Sequence, residues 1–470
     1  MKKNDEVIGV VTALGCNYEG IVKINDTVCF VPFALVGEKV TFKVLKVSKT
    51  KEGYIAFCKL IEVLTPADER VRPQCKYFRK CGGCALQHLK YKEQLKAKTQ
   101  TVKDCFRKIA GITLNPKNAV KSDLEYAYRN KLQLPIRNTK DGNFLGFFAE
   151  NSHRLVPITE CAIQKEWSTK IIEVFNEFIS KYNVSCYNDE TKQGLLRHVV
   201  VRSVDKSLII CTVINGTELP YVDKLIELLG QKFMKFSFYV NENVSDNNVI
   251  LGDKFTLLYG ADKVNTEEFG IKYSIGAQSF MQVNDGVKSR LYSDVVKALE
   301  LDANTVVIDA YSGAGLMTAL FAKNAKKAIG IEIVAEAVES ANNLAKANGL
   351  TNKMVNICAP CEVELPRVIN EVKNGNDKVA VVLDPPRKGC DYNVLQAVLS
   401  AKPDKIVYVS CSPQTLARDV GILTGTLAYD GNELKKVLEP NGEYEICSAQ
   451  AYDMFPQTKH VETLVCLVRK

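Results

Sequence analysis

The sequence predicts a multidomain chain. It should have a small N-terminal β-barrel of oligonucleotide-binding type, a mixed α+β central domain with a cysteine cluster, and a C-terminal α/β domain with a Rossmann-like parallel sheet. Three observations lead there. The 470 residues are too many for one hydrophobic core. Between residues 7 and 64 apolar and polar residues alternate in short runs (Val7 to Val11, Gly20 to Ile24, Val28 to Val31, Lys39 to Val47, Tyr54 to Leu64) cut mostly by Gly, Asn and Asp, a pattern of short antiparallel strands. From about residue 271 strands and helices alternate regularly, as crossover connections in a parallel sheet require.

These observations set the domains at residues 1–65, 66–270 and 271–470, with a helical segment around 88–112 expected to pack on the last of them. The 62 basic residues exceed the 54 acidic ones by a formal +8, which permits a nucleic-acid partner. No apolar run approaches the roughly 18 residues that span a bilayer, so no membrane role and a cytoplasmic location are expected. In a chain of this kind the 16 cysteines read as metal ligands, reactive thiols and core residues rather than disulfides. No obligate protein partner is evident.

Within the last domain, Thr305 to Ala310 is an apolar strand, Tyr311-Ser312-Gly313-Ala314-Gly315 a glycine turn, and Leu316 to Lys323 a helix. A second strand, Ala328 to Glu332, ends in an acid, and the helix Ala335 to Asn348 stops at Gly349. The glycine turn lets a ligand approach the backbone, and Glu332 can accept from two ribose hydroxyls. Leu316, Met317 and Thr318 follow Gly315, so the full dinucleotide fingerprint is missing and S-adenosylmethionine fits better than a nicotinamide dinucleotide. The strand Val379 to Leu383 runs into Asp384-Pro385-Pro386-Arg387. Proline cannot continue a central strand, so the chain leaves the sheet there with Asp384 aimed at the cleft.

The next strand, Lys405 to Val409, delivers Ser410-Cys411-Ser412-Pro413 to the same edge, and Gln414 to Val420 reads as a helix. A thiol at a helix N-terminus is expected to have a lowered pKa and to serve as a nucleophile. Near the C-terminus His460 and Glu462 approach the last strand, Thr463 to Val468; Glu462 is the candidate base and His460 reads as a surface residue.

A thiol, a methyl donor and a separate carboxylate point to one chemistry. Carbon 5 of uracil is a poor nucleophile until a thiolate adds to carbon 6; it can then take a methyl group, after which a base must remove its proton. Cys411 would add and Glu462 would deprotonate. The target must be unpaired or flipped out of RNA.

In the central region Cys75, Cys81 and Cys84 are spaced C-x5-C-x2-C, and with the distant Cys161 they could supply four thiolates to zinc or to an iron-sulfur cluster. Aromatic and basic residues interleave at Tyr77 to Lys80, Tyr126 to Lys131 and Arg197 to Arg202, as phosphate contact and base stacking favour.

The stretches SCSPQTLARD, DPPRKG, DAYSGAG, SFMQVN and FPQTKHVE together resemble the RNA uracil-C5 methyltransferases, specifically the branch with an N-terminal TRAM domain and an iron-sulfur cluster that modifies 23S ribosomal RNA. The resemblance spans nearly the whole chain. It implies that Cys411 is the nucleophile and Glu462 the base, and that Gln282, Tyr311, Glu332 and Asp384 line the cofactor and base pocket. It also implies that Cys75, Cys81, Cys84 and Cys161 hold a four-iron four-sulfur cluster, that the first domain is an RNA-binding TRAM barrel, and that Tyr128 to Lys131 contact RNA.

Two enzyme readings compete with methylation of 23S RNA. Transfer RNA is an alternative substrate, and amino methylation also uses D-P-P turns, but with an aromatic residue where this chain has Arg387. A metal-stabilised RNA-binding factor without activity is the non-catalytic alternative.

Overall fold

In the computed structural model the described residues are 1–50, 53–373, 377–431 and 433–470. The first sheet has the strand order Glu6–Val10, Lys39–Thr50, Gly53–Thr65, Thr27–Val31, Gly20–Ile24, Ala13–Leu14. Its alternation turns Val40, Phe42 and Val44 inward against Val22, Cys29 and Ala56 while their neighbours face out. Gly9 permits the closest approach in this sheet, since a Cβ there would lie 2.4 Å from Val22 Cγ1. Glu38 is fully buried and accepts from the Arg70 guanidinium and, at 2.8 Å, from the Leu35 amide, which fastens this sheet to the segment that follows.

The second sheet runs Lys254–Tyr259, Phe236–Glu242, Ser207–Ile214, Leu196–Val204, Lys131–Thr139, Gly142–Phe148, Leu155–Pro157. Helices Trp167–Tyr182 and Val222–Lys232 bury Phe175, Phe178, Leu225 and Leu229 against one face. Every residue of Leu196–Val204 is buried, so Arg197, His198 and Arg202 lie inside the protein. The expectation that this basic stretch meets RNA is therefore overturned. Arg197 donates to the Asn243 and Ser245 carbonyls at 2.6 and 2.9 Å, and Arg202 to the Ser279 carbonyl at 3.0 Å.

The third sheet has the order Met354–Cys358, Lys327–Glu332, Thr305–Ala310, Lys378–Leu383, Lys405–Ser410, Glu462–Arg469, Tyr444–Tyr452. Its first five strands are parallel and the last two antiparallel. Helices cover both faces, which is why these strands read as continuous apolar runs. Helices Asp285–Leu299, Leu316–Asn324 and Ala335–Ala347 pack on one side, and Cys361–Lys373, Tyr392–Ala401 and Pro413–Leu423 on the other. The helix Tyr91–Cys105 continues as one π-helical stretch, Phe106–Ala110, and buries Val102, Phe106 and Ala110 in the same core as Leu416, Ala417 and Val420. Residue 270 falls in the turn of the hairpin Val264–Glu268 and Ile271–Ile275. No helix among the described residues is long and apolar enough to cross a membrane.

Strand order reverses between Thr305–Ala310 and Lys378–Leu383, because the chain first builds outward on one side and then crosses to the other. At such a point the loops leaving the carboxyl ends diverge and open a crevice. Tyr311, Glu332, Asp384 and Cys411 stand at or just past the carboxyl ends of their strands on that edge.

Candidate active site at the carboxyl edge of the sheet

Tyr311 follows the strand Thr305–Ala310 with a φ of +67°, and Gly313 and Gly315 follow with φ of +54° and +81°. Gly315 caps the helix Leu316–Asn324 and allows no side chain, because a Cβ there would meet Ala341 and Met354 at 2.7 Å. Above Gly313 the space is open. Glu332 closes the turn from the neighbouring strand by accepting from the Gly313 amide at 3.0 Å and the Val334 amide at 2.9 Å. Each of its oxygens keeps acceptor capacity for a ligand hydroxyl.

Across the switch point Asp384 is half-buried, and burial pushes its carboxyl up to about 7. Asp309, unassigned by the sequence reading, is buried beneath the glycine turn and accepts from the Thr318 hydroxyl. Burial, and then the charges of Asp384 and Glu332, push it up to about 7 as well. Tyr292 of helix Asp285–Leu299 is raised by burial and by the fields of Asp384, Glu268, Asp309 and Glu462, which marks it as a neighbour of this carboxylate group. The apolar strand TVVIDA holding one acid was the sequence signal for Asp309; Tyr292 had none. Gln282 is buried on the stretch before the same helix, and its carbonyl accepts from Asn130 Nδ2 at 3.0 Å. The Tyr311 hydroxyl is held near Cys390 and Cys361 on the opposite face.

Cys411 leaves the strand Lys405–Ser410 one residue before Ser412, which caps the helix Pro413–Leu423 by accepting from the Thr415 amide at 3.5 Å. In the antiparallel register Ser410 pairs with Thr463, so the next step along each strand brings Cys411 beside Glu462. The expected lowering of the thiol pKa is not found. Burial first, then the charges of Glu462 and Asp384, raise it, while the charge of nearby Arg387 opposes them. Glu462 is buried, and burial together with Asp384 pushes it well above the ordinary carboxylate range against the pull of Arg387. Arg387 is thus the cation shared by both groups. In the sequence Arg387 stands out only as the residue where an amino methyltransferase would carry an aromatic.

His460, read as a surface residue, is half-buried with its ring edge-on to Phe455 at 5.7 Å, and burial followed by nearby Arg387 and Lys459 pushes it down to about 4. It lines a cavity of about 270 Å³ together with Cys75, Cys81, Cys84 and Cys161. The Gly83 amide donates to Cys81 Sγ at 3.4 Å, and the charges of Cys161, Cys81 and Cys75 act on Cys84. Among the described residues no three His, Cys, Asp or Glu side chains are drawn together around a point that suits a single ion. The RNA role expected of Tyr128 is overturned: the ring is buried and its hydroxyl donates to the Pro456 carbonyl at 3.1 Å. Asn130 is also buried, whereas Arg129 reaches the cysteine cavity.

The family model of the tRNA (uracil-5-)-methyltransferases matches residues 90–470. The chain belongs to this family. It is an S-adenosylmethionine-dependent RNA methyltransferase acting on carbon 5 of uracil. An RNA methyltransferase of Clostridium tetani is 38% identical over 470 residues, covering 99% of this chain and 97% of that protein. One of Bacillus cereus is 36% identical over 475 residues, covering 100% and 98%. Among solved structures, the Pyrococcus abyssi tRNA (uracil-54, C5)-methyltransferase in complex with S-adenosyl-L-homocysteine is 26% identical with a TM-score of 0.73, covering 98% of this chain and 99% of that one.

Arg387 yields a prediction within this family. Arg387→Met removes the cation that opposes the raised Cys411 and Glu462. The acidic limb of the kcat/KM against pH profile should move to higher pH, and Arg387→Lys should bring it partly back. An unmoved limb in both variants would show that Arg387 does not act on either group.

Proposed function

We propose that this methyltransferase modifies uridine in 23S ribosomal RNA through a covalent adduct of Cys411. The observation that carries the mechanism is the pairing of the two strand ends, which sets a thiol and a buried carboxylate side by side at the switch-point crevice. The Cys411 sulfur forms a bond to carbon 6, and the π electrons of the ring move toward carbon 5 and oxygen 4. Carbon 5 then takes the methyl group, whose bonding pair stays on the donor sulfur. Glu462 removes the carbon 5 proton, the C–H pair restores the double bond, and the thiolate leaves. Bound S-adenosylmethionine supplies the electrophilic methyl group. Glu332 and the open face over Gly313 suit its ribose and backbone contacts, and Tyr311, Gln282 and Asp384 line the rest.

Burial biases the Cys411 thiol and the Glu462 carboxyl toward their neutral forms. A sulfonium placed near Asp384 favours the ionised forms of all three groups, which ties thiolate formation to donor binding. Once ionised, a carboxylate with a raised pKa is the stronger base.

We also assign a four-iron four-sulfur cluster to Cys75, Cys81, Cys84 and Cys161. Four thiols around one cavity and an amide donor on Cys81 Sγ suit such a cluster. When bound it would supply bonds that tie the loop of residues 75–84 to Cys161. Methyl transfer moves no net electrons, so its place is structural.

A second reading, transfer RNA as substrate, is favoured by one observation: the likeness to the Pyrococcus tRNA enzyme extends over the whole chain, first sheet included. Methyl transfer to purified 23S RNA and to transfer RNA, followed by mass mapping, decides between them. A gain of about 14 mass units in one uridine-containing 23S fragment is the expected result, this being one CH₂ per methyl transferred. A gain confined to transfer RNA would replace it.

A further inference from the structure

The connection between strands Tyr444–Tyr452 and Glu462–Arg469, residues 453–461, is buried along most of its length. A buried irregular segment has to satisfy its backbone polar groups. Here the partners come from outside the hairpin. Lys98 Nζ donates to the Phe455 carbonyl at 3.0 Å, the Tyr128 hydroxyl to that of Pro456 at 3.1 Å, and the Ala85 and Leu86 amides to that of Gln457 at 3.0 Å each. Lys98 also pairs with Asp453, both side chains being fully buried.

Gln94 completes the frame. Its Nε2 donates to Gln457 Oε1 at 2.9 Å and to the Leu86 and Leu89 carbonyls at 3.1 and 2.8 Å, and its Oε1 accepts from the Gln457 amide at 3.2 Å. Gln457 sits at a φ of +71°, a region that a non-glycine residue holds only when its surroundings impose it. The frame therefore holds this loop in one conformation, five residues before Glu462. Cys411 stands on the neighbouring strand end and owes its place to a different element.

We infer that Gln94, Lys98, Tyr128 and Gln457 are positioning residues for Glu462, and that the Ala85-Leu86 peptide, directly after Cys84, makes the cysteine loop one support of that frame. This rests on the reading of Glu462 as the base. The frame serves proton removal, the step after methyl transfer, and leaves thiol addition to the strand that carries Cys411. Loosening it should separate the two halves of the reaction: carbon 5 is methylated, its proton stays, and the RNA remains attached to Cys411.

Single-turnover reactions with uridine RNA tritiated at carbon 5 test this in Tyr128→Phe, which loses one hydroxyl from an otherwise unchanged buried ring, and in Gln94→Leu. Covalent RNA adduct on denaturing gels and methyl incorporation report the first half; tritium release reports the second. The expected result in both variants is methyl incorporation within about twofold of wild type, tritium release slowed about tenfold to a hundredfold, and adduct accumulating on natural RNA. Methyl incorporation and release falling together would show a merely structural role, and release unchanged in both variants would show none; either overturns the inference. Should the wild-type protein itself give neither tritium release nor adduct, the assignment of Glu462 and Cys411 fails, and the frame has no base to position.

Discussion

Cys411→Ala is expected to abolish tritium release from RNA labelled at carbon 5 of uridine, a loss of at least about a thousandfold. The bond from sulfur to carbon 6 is what makes carbon 5 nucleophilic, and no neighbouring group can substitute for it: Asp384 and Glu462 are carboxylates and Arg387 is a cation. Binding of RNA and of the methyl donor should survive, since the side chain removed is small, half-buried and placed ahead of a helix cap made by Ser412. Filter binding of RNA to the variant alongside the release assay separates lost chemistry from lost structure. Retained release would show that the reaction runs without a thiol adduct.

Glu462→Gln should act at the other end of the reaction. The amide is nearly isosteric and neutral, and burial already disfavours the charged carboxylate, so folding should be little affected. Methyl incorporation into RNA is expected to stop near one equivalent per enzyme while turnover falls about a hundredfold or more, as loss of a positioned base predicts. Natural uridine RNA should stay bound through denaturation. Normal turnover would pass the role of base to another group. His460 is the adjacent alternative, and its low pKa would keep it neutral and available.

These expectations were legible in the sequence to different degrees. Glycine turn, strand-ending acid and D-P-P turn are local signals, and the strands and helices they predicted lie at the expected places, because a sheet covered on both faces leaves continuous apolar runs in the chain. The pairing of Cys411 with Glu462 is not local. It arises from an antiparallel strand inserted beside Lys405–Ser410, whose register no short motif encodes. For the same reason the sequence does not reveal that the thiol is raised. The helix N-terminus is visible in the sequence, whereas the burial and the fields of Asp384 and Glu462 that outweigh it come from other strands. The basic stretch at Arg197 to Arg202 and the ring of Tyr128 failed differently. The alternation around them resembles a surface, but both faces of Leu196–Val204 are covered, and the arginines satisfy buried carbonyls instead of phosphates. Gln94, Lys98 and Gln457 were invisible because polar residues on a helix and in a loop give no sign of being buried against each other.

The most direct test of the covalent route is incubation of the wild-type protein with S-adenosylmethionine and RNA carrying 5-fluorouridine, followed by digestion and mass spectrometry of the cross-linked peptide. Fluorine at carbon 5 cannot be removed as a proton, so the adduct should be trapped after methyl transfer. The expected product is a methylated fluorouridine nucleotide joined to the peptide that contains Cys411. A nucleotide attached to another residue, or no attachment while natural uridine RNA is still methylated, would contradict the account.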